Sequence, residues 1–297
     1  MNNYRPGGFQ VLPPVVKNLL IINVLMVFAQ YVLGKMGIDL ADYLGLHYWR
    51  SGHFKFWQLF THMFMHGSYH DVNLTIMHLF SNMFALWMFG STLENLWGPK
   101  KFIIFYIICG LGAALCHLAV LGYQYETINS AFHFYQQNPT FDQYDLFLKK
   151  NVPYPPRTQG ALNLWKLDAI WQQDPSSLAL SNLSKNEIYK YLYGYTDFTS
   201  NVHVEGLFDE ATVGASGAVF GILFAFGYLF PNTLLYLYFL VPIKAKWIIG
   251  AYAIFELYAG VRNTAGDNVA HFAHLGGMLF AFILLKIWNK RNRKYFY

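Results

Sequence analysis

Residues 213–230 read VGASGAVFGILFAFGYLF, a stretch without a charged side chain in which Gly214, Gly217, Gly221 and Gly227 recur. An apolar run of this length that opens on small residues fits a membrane-embedded helix packed closely against its neighbours. It also carries Ser216. A serine hydroxyl is a weak nucleophile at neutral pH and needs a base within hydrogen-bond reach. Taken alone, the GxSG pattern reads first as a packing motif.

The rest of the chain supports the membrane reading. Of 297 residues, 55% are hydrophobic and 12% charged, against about 25% charged in a soluble domain. Aromatic residues make up 19%, with 22 Tyr and 8 Trp, ring types that gather where hydrocarbon meets headgroup. Besides the run from 213, which meets the helix-breaking pair Pro231-Asn232, four apolar runs stand out. They lie between Lys17 and Lys35, from about Leu74 to Leu93, between Lys101 and Glu126, and from about Val269 to Leu285. A sixth, from about Trp247 to Val261, is interrupted by Glu256. An ionisable residue inside a span faces the bundle interior or a wet cavity, so a short fifth helix is expected there. The first run follows Arg5 and Lys17 with no small-residue cleavage site after it, which predicts a retained helix. Cys109 and Cys116 are seven apart, about 10 Å along a helix and too far for a disulfide.

Charge placement tests the count of six. One side then receives Arg5, Lys17, Lys100, Lys101, Lys244, Lys246, Lys286, Lys290, Arg291, Arg293 and Lys294, eleven of the 21 basic residues, against the single acid Glu94. The positive-inside rule puts that side, and both termini, in the cytoplasm. Gly122 to Thr212 falls on the other side, with ten acidic and six basic residues. Its helix-like stretches, its aromatics and breaks at Pro139, Pro153, Pro155, Pro156 and Pro175 predict a small helical cap on the membrane face. No internal repeat is visible, which weighs against a transporter built from two similar halves.

Polar residues recur on two other apolar segments. AHFAHLGGMLFA, residues 270–281, offers His271 and His274 on one helical face beside Gly276 and Gly277. Either histidine can serve as base to a serine on a facing helix or as an interhelical hydrogen-bonding group. HLFSN, residues 78–82, puts His78 and Asn82 one turn apart. Both can donate to a developing oxyanion. Three polar sets on three apolar helices are costly in hydrocarbon unless they meet. Zinc chemistry of the HExxH kind lacks its motif here, and no pair of intramembrane aspartates is present.

HGS (66–68) with HLFSN, GASGAVFG (214–221) and AHLGG (273–277), in this order, resemble the rhomboid family of intramembrane serine proteases. The resemblance covers about 200 residues. It implies an all-α, six-helix bundle of the bacterial form; the N-terminal tail and the long extracytoplasmic insert between helices 3 and 4 lie outside it. The expected division is a tail (1–17), core helices 1–3 with a membrane-dipping first loop (18–121), the insert (122–212), core helices 4–6 (213–288) and a basic tail (289–297). It further implies a Ser–His dyad without an acidic third member. Ser216 matches the nucleophile, and His78, Asn82 and the Ser216 N–H match the oxyanion hole. His274 matches the base because the family places small residues three and seven positions later, here Gly277 and Ala281. From His271 those positions are His274 and Met278. Gly214 matches the small position before the nucleophile, Phe220 an aromatic under the imidazole, and His271 lies one turn nearer the surface. Gln58 departs from the family's usual Arg after Trp57, and GSTLENLWG resembles the turn after the second helix, with Glu94 structural.

The implied activity is hydrolysis of peptide bonds in or near transmembrane segments, with no cofactor. The expected partners are transmembrane protein substrates and lipid, with no nucleic acid, in a bacterial inner membrane. The fifth helix and the loop 262–268 are expected to form the gate. A cleavage-inactive relative that only binds helices, and a small-solute channel, are the alternatives.

Overall fold

The computed structural model describes residues 9–68, 71–156, 158–197, 202–204, 206–237, 241–262 and 270–293. The ends of both expected tails and the loop 263–268 lie outside the described residues. Twelve α-helices are described: α1 (Pro14–Lys35), α2 (Leu40–Leu44), α3 (Gln58–Thr61), α4 (Val72–Ala85), α5 (Ser91–Trp97), α6 (Pro99–Gln137), α7 (Phe141–Asn151), α8 (Gln159–Trp171), α9 (Leu178–Tyr193), α10 (Ser216–Leu229), α11 (Ala245–Arg262) and α12 (His271–Arg293). A π-turn, Leu86–Gly90, joins α4 to α5 into one rod.

Four helical rods are long and apolar enough to cross a membrane: Pro14–Lys35, Val72–Trp97, Pro99–Gln137 and His271–Asn289. Ile21, Leu25 and Phe28 on α1, and Ile76, Met77 and Phe80 on α4, turn outward and are exposed. Such apolar outer faces need lipid to cover them. The protein is an integral membrane protein. The two remaining apolar helices differ: α10 has 14 residues, and α11 has 18 with Glu256 on its inner side.

The core of the bundle is α6, α10 and α12, and small residues set their spacing. A Cβ on Gly277 of α12 would lie 1.8 Å from the carbonyl oxygen of Gly217 on α10, and one on Gly217 would lie 2.3 Å from Cβ of Ala113 on α6. At Gly112 the space is taken by the Phe280 ring. Close backbone approach replaces the hydrophobic effect as the source of association in lipid. α1 is anchored from a distance in sequence: Glu94 accepts the backbone N–H groups of Val15 (2.9 Å) and Val16 (2.8 Å). A carboxylate there satisfies two orphan donors and complements the positive end of the helix.

The structure departs from expectation in two places. The helix of the third apolar run outlasts the run: α6 continues unbroken past Glu126 to Gln137, because no breaker stands before Pro139. Two short antiparallel hairpins also interrupt the all-α expectation, Tyr195–Asp197 (β1) with Val202–Val204 (β2) and Leu234–Leu237 (β3) with Val241–Lys244 (β4). Chain that leaves a helix beside a membrane still has to pair its backbone polar groups, and two strands do so within one connection.

Beyond the bundle, α7, α8, α9 and the end of α6 share a second core. Phe132, Tyr135, Tyr144, Leu148, Leu164, Trp171, Ile188 and Leu192 are buried in it. Thr140, Thr158 and Ser177 cap α7, α8 and α9. This unit is ordered by its own apolar contacts and caps.

Candidate active site

Ser216 is the first residue of α10, so its hydroxyl and the first N–H groups of the helix face the same space. Helix N-terminal N–H groups have no intrahelical acceptor and point toward negative charge. The chain enters this turn through Gly214 at φ +138°, a conformation that side-chain-bearing residues rarely adopt. A Cβ on Gly214 would lie 3.0 Å from Cε1 and 3.1 Å from Nε2 of His78, and 3.4 Å from Oγ of Ser216. A side chain at this position would press on the His78 ring and crowd the serine hydroxyl. The first loop fixes the approach: Gly214 N–H donates to the carbonyl of His62 (2.9 Å), and Leu46 and Thr212 exchange backbone hydrogen bonds.

From α12, Nε2 of His274 lies 2.8 Å from Oγ of Ser216. The imidazole stacks flat on Phe220, with ring centroids 4.0 Å apart and planes 4° apart. Phe220 is one turn along α10 from Ser216, so one helix presents both the hydroxyl and the stacking surface. On the other side of the ring, Nδ1 of His274 lies 2.9 Å from Oε2 of Glu256, and Nδ1 of His271 lies 2.6 Å from the same oxygen. Glu256, His271 and His274 are all buried. The expected pair therefore has a carboxylate against it that the sequence did not assign.

Asn82 is buried, and its Nδ2 has no hydrogen-bond partner among the described residues. His78, one turn earlier on α4, is half-buried and meets His66 edge-on, with centroids 5.1 Å apart. Behind Ser216 is a cavity of about 20 Å³ lined by residues that include His62, His117, Thr212 and Gly214, room for about one water molecule. Gln58 is fully buried and staples the first loop, accepting from Lys55 N–H (3.0 Å) and donating to the carbonyl of His53 (3.0 Å). Its amide fills by local bonds the place where the resemblance implies an arginine.

A family model described as "Rhomboid domain" matches residues 53–133 and 187–291. The chain belongs to the rhomboid family. The rhomboid match takes in the first loop from His53, the Val72–Trp97 rod, most of α6, and α10 to α12, and it leaves residues 134–186 unmatched. The chain is similar to an uncharacterized mitochondrial rhomboid protein of Schizosaccharomyces pombe, 26% identical over 244 residues, or 80% of this chain and 53% of that protein. It is also similar to RHOMBOID-like protein 12, mitochondrial, of Arabidopsis thaliana, 25% identical over 259 residues, or 81% of this chain and 56% of that one. The chain thus spans about half the length of these curated relatives.

Of the residues expected from sequence, Ser216 and His274 meet across α10 and α12, Gly214 lies between Ser216 and His78, Phe220 lies under the His274 ring and Gly277 against Gly217, and Asn82 is one turn from His78 on α4. His271 faces Glu256 rather than the serine. Glu256 is the residue whose partners sequence reading did not find. A lone acid in an apolar helix was the signal, and its partners lie 15 and 18 residues away, beyond any helical spacing.

Proposed function

We propose that this protein is an intramembrane serine endopeptidase that cuts transmembrane proteins in or near their membrane segments, with Ser216 as nucleophile and His274 as base. The observation that carries the reading is the 2.8 Å contact between Ser216 Oγ and His274 Nε2 inside a bundle of apolar helices. Family membership supports it, and the buried, unpaired amide of Asn82 supports an oxyanion hole.

In this reading His274 takes the Ser216 proton as Oγ attacks the scissile carbonyl carbon. The oxyanion is held by the Ser216 N–H, Asn82 Nδ2 and His78, each donor contributing about 2.7–4 kcal/mol. His274 returns the proton to the leaving amine as the C–N bond breaks. Water, deprotonated by His274, then attacks the ester and releases Ser216. No step calls for a metal or a nucleotide.

The six spans are α1, Val72–Trp97, α6, α10, α11 and α12, with the basic side, and so both ends of this chain, in the cytoplasm or an equivalent negative compartment. The expectation of a bacterial inner membrane came from the resemblance, whereas both relatives above are named as mitochondrial. At 14 residues, α10 is about 21 Å long, short of the roughly 30 Å hydrocarbon core. Its N-terminus therefore starts below the surface, where irregular backbone requires a polar cavity. Residues 122–212 are the extracytoplasmic insert, and α11 is the gate.

Detergent-purified protein given a transmembrane reporter should cleave it, and Ser216→Ala and His274→Ala should not. Cleavage that survives Ser216→Ala refutes the proposal. An uncleaved reporter that still co-purifies with wild type supports the helix-binding alternative.

A further inference from the structure

α11 is apolar on its outer face, where Ile254, Phe255, Leu257, Tyr258 and Val261 are exposed, and carries Glu256 on the inner stripe, 2% exposed. An isolated carboxylate is very costly in such surroundings and persists only with strong donors. Its Oε2 has two, Nδ1 of His271 at 2.6 Å and Nδ1 of His274 at 2.9 Å, one turn apart on α12. Gly260, one turn on from Glu256, lets α11 come close: a Cβ there would lie 3.1 Å from Cβ of His271.

This contact decides which nitrogen of His274 is the base. An ionised carboxylate only accepts hydrogen bonds, so Nδ1 carries the proton and Nε2 is left with its lone pair facing Ser216 Oγ. When the serine proton arrives at Nε2, the carboxylate lies 2.9 Å from the resulting imidazolium and stabilises it. Phe220 fixes the plane of the ring but cannot choose a tautomer. The second donor, His271, holds the carboxylate in place.

We infer that Glu256 is a positioning residue for His274, so that hydrolysis runs on a Ser216–His274–Glu256 triad rather than on a dyad. The inference rests on the endopeptidase reading above.

The test compares purified wild type, Glu256→Gln, Glu256→Asp, Glu256→Ala and Ser216→Ala on the transmembrane reporter. Fluorophosphonate labelling of Ser216 is a second readout. Glu256→Gln should lower kcat by about 10²–10⁴-fold, as expected when the wrong tautomer is favoured, with KM within about threefold. Labelling should slow in parallel, Glu256→Asp should recover part of the rate, and formate should raise the activity of Glu256→Ala but not of Ser216→Ala. Glu256→Gln cleaving within threefold of wild type overturns the inference and leaves the endopeptidase reading intact. Activity that falls only in proportion to folded protein, with no rescue by formate, overturns it too. If wild type neither cleaves nor labels, the endopeptidase reading itself fails. The cluster's three ligand atoms lie within 4.8 Å of one another; wild-type cleavage that changes more than tenfold with Zn²⁺ or chelator, an effect lost in Glu256→Gln, makes it a metal site and overturns the positioning role.

Discussion

Gly277 on α12 and Gly217 on α10 meet backbone to backbone, with no room for a methyl group: a Cβ on Gly277 would sit 1.8 Å from the Gly217 carbonyl oxygen. The obstacle is backbone, so a side chain cannot move aside to make room. Gly277→Ala should force α10 and α12 apart, costing about 1–3 kcal/mol in overpacking. Because Ser216 and His274 lie on these two helices, a displacement near 1 Å should reduce cleavage by about 10²-fold or more. Reporter cleavage and thermal unfolding in detergent measure the two effects, and wild-type activity in Gly277→Ala would contradict this account.

Asn82→Ala removes an amide donor that has no other partner in the described structure. It should lower kcat by about 10²–10³-fold. KM should stay near the wild-type value, because the donor acts on charge that exists only in the transition state. A variant that loses binding instead of rate would put Asn82 in substrate recognition.

Glu94 ties the start of α1 to the Val72–Trp97 rod. Glu94→Ala leaves the Val15 and Val16 N–H groups without their acceptor and should lower stability by about 1–2 kcal/mol. Unfolding at the wild-type temperature in detergent would rule out the capping role.

Trp171 is buried in the core shared by α7, α8 and α9. Trp171→Ala should cost that unit about 3–5 kcal/mol. Limited proteolysis is the check: cuts should concentrate in residues 138–193, while the α6, α10 and α12 packing stays resistant. Uniform cutting of the whole chain would mean that the two cores unfold as one.

Asp168 lies in the same unit, and burial raises its carboxyl above the ordinary value. Its Oδ2 accepts from Gln172 (2.9 Å), and Oδ1 has no partner among the described residues. A raised folded value means that the ionised form is disfavoured by folding. The unit should therefore gain stability as pH falls from neutral through the folded value, levelling off below the unfolded value. Asp168→Asn should remove that component of the pH dependence and stabilise the unit at neutral pH, as read from unfolding midpoints at several pH values.

How far the sequence foretold this arrangement depended on the range of each signal. Apolar runs and their breaks are local, and they marked both ends of α1 and the starts of α6 and α12 to within a few residues, while α12 continues eight residues past the expected Leu285. The far end of α6 escaped because an apolar run ceases where lipid ceases, whereas a helix ceases only where a breaker stands. The meeting of Ser216 with His274 was legible through spacing and resemblance together. Glu256 and Glu94 were visible as lone acids near apolar helices, but their partners are set by the packing of α11 on α12 and of α1 on α5. No periodicity in one segment encodes a contact of that kind.

The unbroken run of α6 has a mechanical consequence. Its 39 residues make a rod about 58 Å long, nearly twice the thickness of the hydrocarbon core. Its first half carries Ala113, packed on the helix of Ser216, and its far end carries Phe132 and Tyr135 in the second core. Such a rod is a lever arm: a tilt of about 5° at the bilayer moves a point about 28 Å beyond it by about 2 Å. A displacement of the second core would reach, through this one helix, the helices that carry the serine and the histidine.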